Sequence, residues 1–209
     1  MIVNIGKTEF NKNFPFIEWL TELPDLLIGL ARRKRLLFLA ACCERQFGNY
    51  AQFHKETGWG DPQVLCDGLQ SLWNYTDNID ITNLKNIRRA IEAVTPDTEE
   101  FKSVYTSSAL DAAIAPLESL DYCVDDDISH CLQVACLCRD SIYMFIQLRE
   151  DYGYSDDYEA KIYFDPLMTR ELQAQRSDIE LLKSLSDRAG STIPFQNCKC
   201  DPDSGSLSG

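Results

Sequence analysis

The stretch DDDISHCLQVACLCRDSIYMFIQLR, residues 125–149, decides the fold. Ile128, Leu132, Ala135, Ile142, Phe145 and Ile146 recur at helical spacing and make a near-heptad apolar stripe. The aspartates at 125–127 complement the positive end of such a helix. Nothing in the segment alternates with the period of two that a half-buried strand requires.

The same period extends in both directions. Upstream, residues 103–120 carry Leu110, Ile114 and Leu117, with Pro116 placed to bend the helix. Residues 81–94 form a shorter helix that ends at Thr95-Pro96-Asp97. Residues 62–75 place Val64, Leu65, Leu69, Leu72 and Trp73 on one face, with Asp61 as N-cap and Pro62 at the first helical position. Residues 32–47 form another helix, continued to 55 after a break or bend at Gly48-Asn49, and residues 15–30 one that Pro24 splits or kinks. Downstream, residues 166–188 carry Met168, Leu172, Ile179, Leu182 and Leu185. The sequence therefore predicts an all-α, single-domain helical bundle of about seven helices over residues 1–193, followed by a flexible polar tail over 194–209.

Composition narrows the function. With 33 acidic and 20 basic side chains the formal charge is −13, which excludes the positive footprint of a nucleic-acid binder and disfavours an anionic membrane surface. No apolar run approaches the roughly 20 residues of a membrane span, and residues 1–10 lack a signal-peptide core, so the expected compartment is the cytoplasm. Nine cysteines, an odd number, read as reduced thiols, mostly core packing. The two pairs at C-x2–4-C spacing that zinc knuckles and ribbons need are absent, so no metal and no cofactor are expected. Cys136 and Cys138 stand about 200° apart around a helix. Phosphate loops, dinucleotide fingerprints, serine elbows and zinc-protease motifs are absent, which points away from an enzyme. His54 and His130 read as ordinary surface or half-buried residues, Gln173 and Gln175 as surface residues, and the basic run at 32–35 as a solvated helix face.

Ala40-Ala41-Cys42-Cys43-Glu44-Arg45, followed by Asn49-Tyr50, Phe53 and Thr57-Gly58-Trp59-Gly60-Asp61, resembles the signature of the YjaG-like family, bacterial helical proteins grouped as a domain of unknown function. Leu72-Trp73, Leu110-Asp111-Ala112 and Ser177-Asp178-Ile179-Glu180-Leu181-Leu182 extend the resemblance over about residues 30–193. It implies an all-α, cytoplasmic bacterial protein and supplies no reaction.

Two constellations remain. Glu44, Arg45, Tyr50, Asp61 and Asp111 either line an interhelical pocket for a small ligand or form a structural ion-pair network, with Arg45 held by Asp61, Asp111 or Asp178. The charge is also divided unequally. Residues 1–110 hold 14 acids and 12 bases, a net of −2, whereas residues 111–209 hold 19 acids and 8 bases, a net of −11. Residues 150–159 concentrate five acids and three tyrosines. Asp151, Asp156 and Asp157 as charge partners, with Tyr152, Tyr154 and Tyr158 as anchors, suit a basic protein surface. The plainer account is a solubilising loop whose tyrosines pack back on the bundle.

The expected function is accordingly a non-catalytic acidic protein-binding module, one form being an immunity or antitoxin-like inhibitor of a basic partner. The alternatives are a small-molecule-binding or enzymatic bundle and a bacterial signalling accessory. A homodimer is compatible with each.

Overall fold

The computed structural model describes residues 14–74, 81–150 and 158–186. Among these residues it contains eight helices and no strand: α1 (Pro15–Ile28), α2 (Arg32–Thr57), α3 (Pro62–Trp73), α4 (Ile81–Ala93), α5 (Thr106–Asp125), α6 (Ile128–Glu150), α7 (Tyr158–Tyr163) and α8 (Pro166–Ser184). The eighth element is α7, a six-residue helix inside what the composition presents as a loop. The tail over 194–209 lies outside the described residues.

α2 is the hub. Eight consecutive residues from Leu36 to Cys43 are buried, as is the run from Gln46 to Ala51, so this helix has no solvent face along most of its length. It is enclosed by α3, α5, α6 and α8. Close approach of α5 is possible because its facing side chains are small: Ala109, Ala112, Ala113, Ala115 and Ser119 are all buried. α1 packs its stripe of Phe16, Trp19, Leu23 and Leu27 on α6 and α8, and α4 closes the other side against α3 and α5.

Several boundaries differ from the sequence expectation for identifiable reasons. Gly48 and Asn49 do not break α2, because tertiary burial of both residues outweighs their weak helix propensity. α1 runs through Pro24, with buried Leu23 and Leu27 holding it on either side. Asp125 ends α5, Asp126 turns the chain at φ 59°, and the Asp127 carboxylate accepts the Ser129 N–H to cap α6. The three aspartates thus build a corner between two helices rather than the first turn of one.

Asp61 and Asp165 cap α3 and α8, accepting the Gln63 and Leu167 N–H groups at 2.9 and 2.8 Å, each with a proline at the first helical position. The basic run is not simply solvated. Arg35 donates to the Leu30 carbonyl, the Tyr122 hydroxyl and the Asp126 carboxylate, while Arg32 donates to the Cys123 carbonyl and Lys34 to that of Leu185. These cations tie the start of α2 to the ends of α5 and α8.

Candidate functional site

Charge enters the core at Arg45 on α2. Its Nε and Nη2 donate to the two Glu171 carboxylate oxygens at 2.9 and 3.0 Å, a bidentate pair, and its Nη1 donates to Asp178 at 2.7 Å. Both carboxylates come from α8, and both residues are buried. Burial works against the charge on Arg45, but the fields of Glu171, Cys42 and Asp178 outweigh it and hold the guanidinium pKa well above its ordinary value. Burial pushes the Asp178 carboxyl upward, against the pull of Arg45.

The polar contacts continue from this centre through five helices. Trp19 of α1 donates to the Gln175 side chain at 2.8 Å, and Gln175 donates to Glu171 at 2.9 Å. Arg45 Nη2 reaches Cys42 Sγ at 3.3 Å, and Gln46 donates to Cys138 Sγ of α6 at 3.2 Å. Ser141 donates to Asp111 of α5 at 2.7 Å and lies 3.3 Å from the Gln46 carbonyl oxygen. Burial lifts the Asp111 pKa from 3.8 to about 6, against the Ser141 bond. A hydrogen bond to Cys42, together with burial, holds Cys138 well above the ordinary thiol range. Cys42, Cys138 and Glu171 offer three buried ligand atoms within 4.8 Å of one another.

The remaining members of the sequence-derived cluster have separate partners. The Tyr50 hydroxyl donates to the Val94 carbonyl at 2.5 Å and accepts the Asp61 N–H, clamping the 58–61 turn against the end of α4. Asp61 spends its carboxylate on the α3 cap. Glu44 is raised by burial, against the pull of Trp73 and Arg45. Arg45 takes Asp178 from the three partners considered, and adds Glu171.

Glu171, Gln46 and Trp19 were not singled out by the sequence, and Gln175 and Cys138 were read there only as a surface residue and a packing thiol. Gln175 is fully buried rather than a surface residue, whereas Gln173 is exposed. A signal was present: residue 175 is the polar gap in the apolar stripe Met168, Leu172, Ile179 and Leu182. Cys66 is disulfide-bonded, which corrects the expectation that every thiol is reduced, and the other six described cysteines are free. His130 faces Glu118 at 2.6 Å and Asp125 at 3.2 Å, an arrangement that two imidazolium N–H donors satisfy.

The acidic run is framed by described residues on both sides. Asp151, Tyr152, Tyr154, Asp156 and Asp157 lie outside the described residues. Tyr158 is half-buried, with its hydroxyl hydrogen-bonded to that of Tyr143 on α6. Arg149 at the end of α6 pairs with Asp165 at 2.8 Å. Leu148 and Phe164 are 56% and 60% exposed, and Glu150 and Glu159 are exposed as well. No helix among the described residues is long and apolar enough to cross a membrane.

Comparison with known proteins agrees with this architecture. A family model described as "Protein of unknown function (DUF416)" matches residues 25–194. The chain is 24% identical to "Uncharacterized protein YjaG" of Escherichia coli K12 over 165 residues, covering 73% of this chain and 83% of that protein. The protein of the same name from Salmonella typhimurium is 23% identical over 157 residues, covering 74% and 79%. The crystal structure of a DUF416 family protein from Shewanella baltica OS155 superposes with a TM-score of 0.70 at 22% identity, covering 77% of this chain and 84% of that one, a likeness of fold.

Proposed function

This chain belongs to the DUF416 family, and the match takes in both the Arg45 centre and the acidic corner; for it we propose a non-catalytic cytoplasmic module that docks a basic partner protein. The observation that carries the reading is the exposure of Leu148 and Phe164, which precede Arg149 and Asp165 of the ion pair and flank the acidic, tyrosine-rich run in sequence. Single exposed apolar side chains are ordinary. Two large ones beside a local excess of acids combine desolvated contact area with a steering field, the composition of a protein interface.

Asp151, Asp156 and Asp157 supply the field, Tyr152 and Tyr154 the aromatic contacts, and Tyr158 ties the segment to α6. An inhibitor of the immunity or antitoxin kind is one form of this function, since covering a cationic cleft needs an acidic face and no chemistry. The field is slightly smaller than the bare net of −11, because Glu171 and Asp178 are buried and share Arg45 of the other half. That leaves more of the remaining excess on exposed acids such as Glu150 and Glu159. The docking reading also needs none of Glu44, Arg45, Tyr50, Asp61 and Asp111, each of which has an intramolecular partner.

The test measures association with a basic protein captured on the full chain. Replacing Asp151, Asp156 and Asp157 together with Ser slows association at low salt by about tenfold or more and flattens its salt dependence. Leu148→Ser with Phe164→Ser speeds dissociation. A captured protein whose rates and salt dependence respond to neither set sinks the docking surface.

A further inference from the structure

We propose that Cys42, Cys138 and Glu171 form a site for one thiophilic divalent cation of the zinc class, with Arg45 and Gln46 as its outer hydrogen-bond donors. Sequence spacing could not show this, because the two sulfurs come from α2 and α6 and the carboxylate from α8, far apart in the chain. The geometry is nearly assembled. A zinc ion sits about 2.3 Å from each sulfur and about 2.1 Å from a carboxylate oxygen, which sets the ligand atoms about 3.5 to 4 Å apart. Here all three lie within 4.8 Å of one another, so side-chain shifts alone close the set.

The surroundings give a second, independent argument. A neutral thiol is a weak acceptor, yet each sulfur faces an amide or guanidinium N–H: Arg45 Nη2 at 3.3 Å from Cys42 and Gln46 Nε2 at 3.2 Å from Cys138. Donors aimed at sulfur are the outer-shell partners a metal-bound thiolate uses. The charge arithmetic agrees. Arg45, Glu171 and Asp178 sum formally to −1, counted from the three paired groups.

On loading, two S–H bonds break, two sulfur–metal bonds form, and the two protons leave to solvent. A divalent ion therefore leaves the cluster at −1, whereas a monovalent ion would leave the core one charge more negative. The Arg45 side chain is 25% exposed, against 8% for Glu171, and marks the edge by which an ion and a water for the fourth position enter.

The experiment uses the full chain with Cys66→Ser, Cys198→Ser and Cys200→Ser, so that neither the tail cysteines nor a Cys66 released from its disulfide contributes signal, titrated with Cd2+ and with Zn2+ after metal depletion. One ion per chain binds, with a thiolate-to-cadmium charge-transfer band in the ultraviolet and release of about two protons per ion. Adding Cys42→Ser or Cys138→Ser weakens binding by about a hundredfold or more, since even outer-shell partners are worth ten- to a hundredfold. Cys136→Ser, on another side of α6, leaves it unchanged. X-ray absorption of the zinc-loaded parent reads two sulfurs in the first shell and needs no core substitution, so it decides the matter even where the serine variants unfold. No stoichiometric binding, a first shell without sulfur, or undiminished binding by folded Cys42→Ser and Cys138→Ser chains overturns the site.

Discussion

Gly58 and Gly60 provide a matched pair of perturbations at the turn after α2. Both have left-handed backbones, at φ 69° and 79°. A Cβ added at Gly58 meets nothing within 4 Å, so Gly58→Ala carries the backbone penalty alone, about 1–2 kcal/mol. At Gly60 the same penalty applies, but the new Cβ overlaps the Tyr50 hydroxyl and stands 3.1 Å from Tyr50 Cζ. The Tyr50 ring is fully buried and has no room to retreat. Its hydroxyl must move off the Val94 carbonyl and the Asp61 N–H, which adds about 1–3 kcal/mol for groups left unpaired.

Gly60→Ala is therefore expected to lose about 2–5 kcal/mol, against about 1–2 kcal/mol for Gly58→Ala. Urea unfolding with linear extrapolation reads both. In a cycle with Tyr50→Phe, which removes the hydroxyl, most of the excess at Gly60 vanishes, giving a coupling of about 1–2 kcal/mol. If Gly60→Ala proved no worse than Gly58→Ala, or the cycle showed no coupling, the clamp would not be what holds this turn.

Arg45→Met leaves Glu171 and Asp178 buried without their cation and is expected to lose about 2–4 kcal/mol, somewhat below a fully buried pair because Arg45 is partly exposed. Denaturation in chelator checks this, and a loss under about 1 kcal/mol would contradict the geometry. Asp111 has its folded pKa raised from 3.8 to about 6 by burial, so its contribution is full below 3.8 and is lost as pH rises through about 6. Asp111→Asn, which keeps an acceptor for Ser141, should be more stable than the parent by about 1–3 kcal/mol near pH 7 and no different near pH 3. For His130, burial opposes the charged form but Glu118 and Asp125 prevail and raise its pKa above 6.5. The stabilisation is full below 6.5 and fades as pH rises through the raised value; His130→Gln should flatten the stability profile in that window, and an unchanged profile would exclude the pairing.

The helices were legible wherever one apolar face meets one neighbour. Residues 125–149 and 166–188 announce α6 and α8 for that reason, and Asp61-Pro62 announces a cap through local chemistry alone. α2 was harder to read because it is buried nearly all round, so its pattern has no polar stripe to interrupt at Gly48-Asn49. The Arg45 centre was half visible. A charged pair after the run 36–43 flags a polar position, and Asp178 was among the partners considered, but Glu171 and Cys138 belong to it only through tertiary approach of α8 and α6. Pairings across 92 and 126 residues leave no trace in local spacing.

That separation also orders events during synthesis. At about 5–20 residues per second, roughly 7 to 27 s pass between the emergence of Arg45 and that of Asp178, 133 positions later. Over that interval the face of α2 destined for α8 has no cover. An apolar residue at position 45 would offer nascent chains a sticky surface, whereas a guanidinium is well hydrated until its carboxylates arrive. The ion pair at the last-closed seam thus protects the unfinished protein from aggregation as well as fixing the register of the finished one.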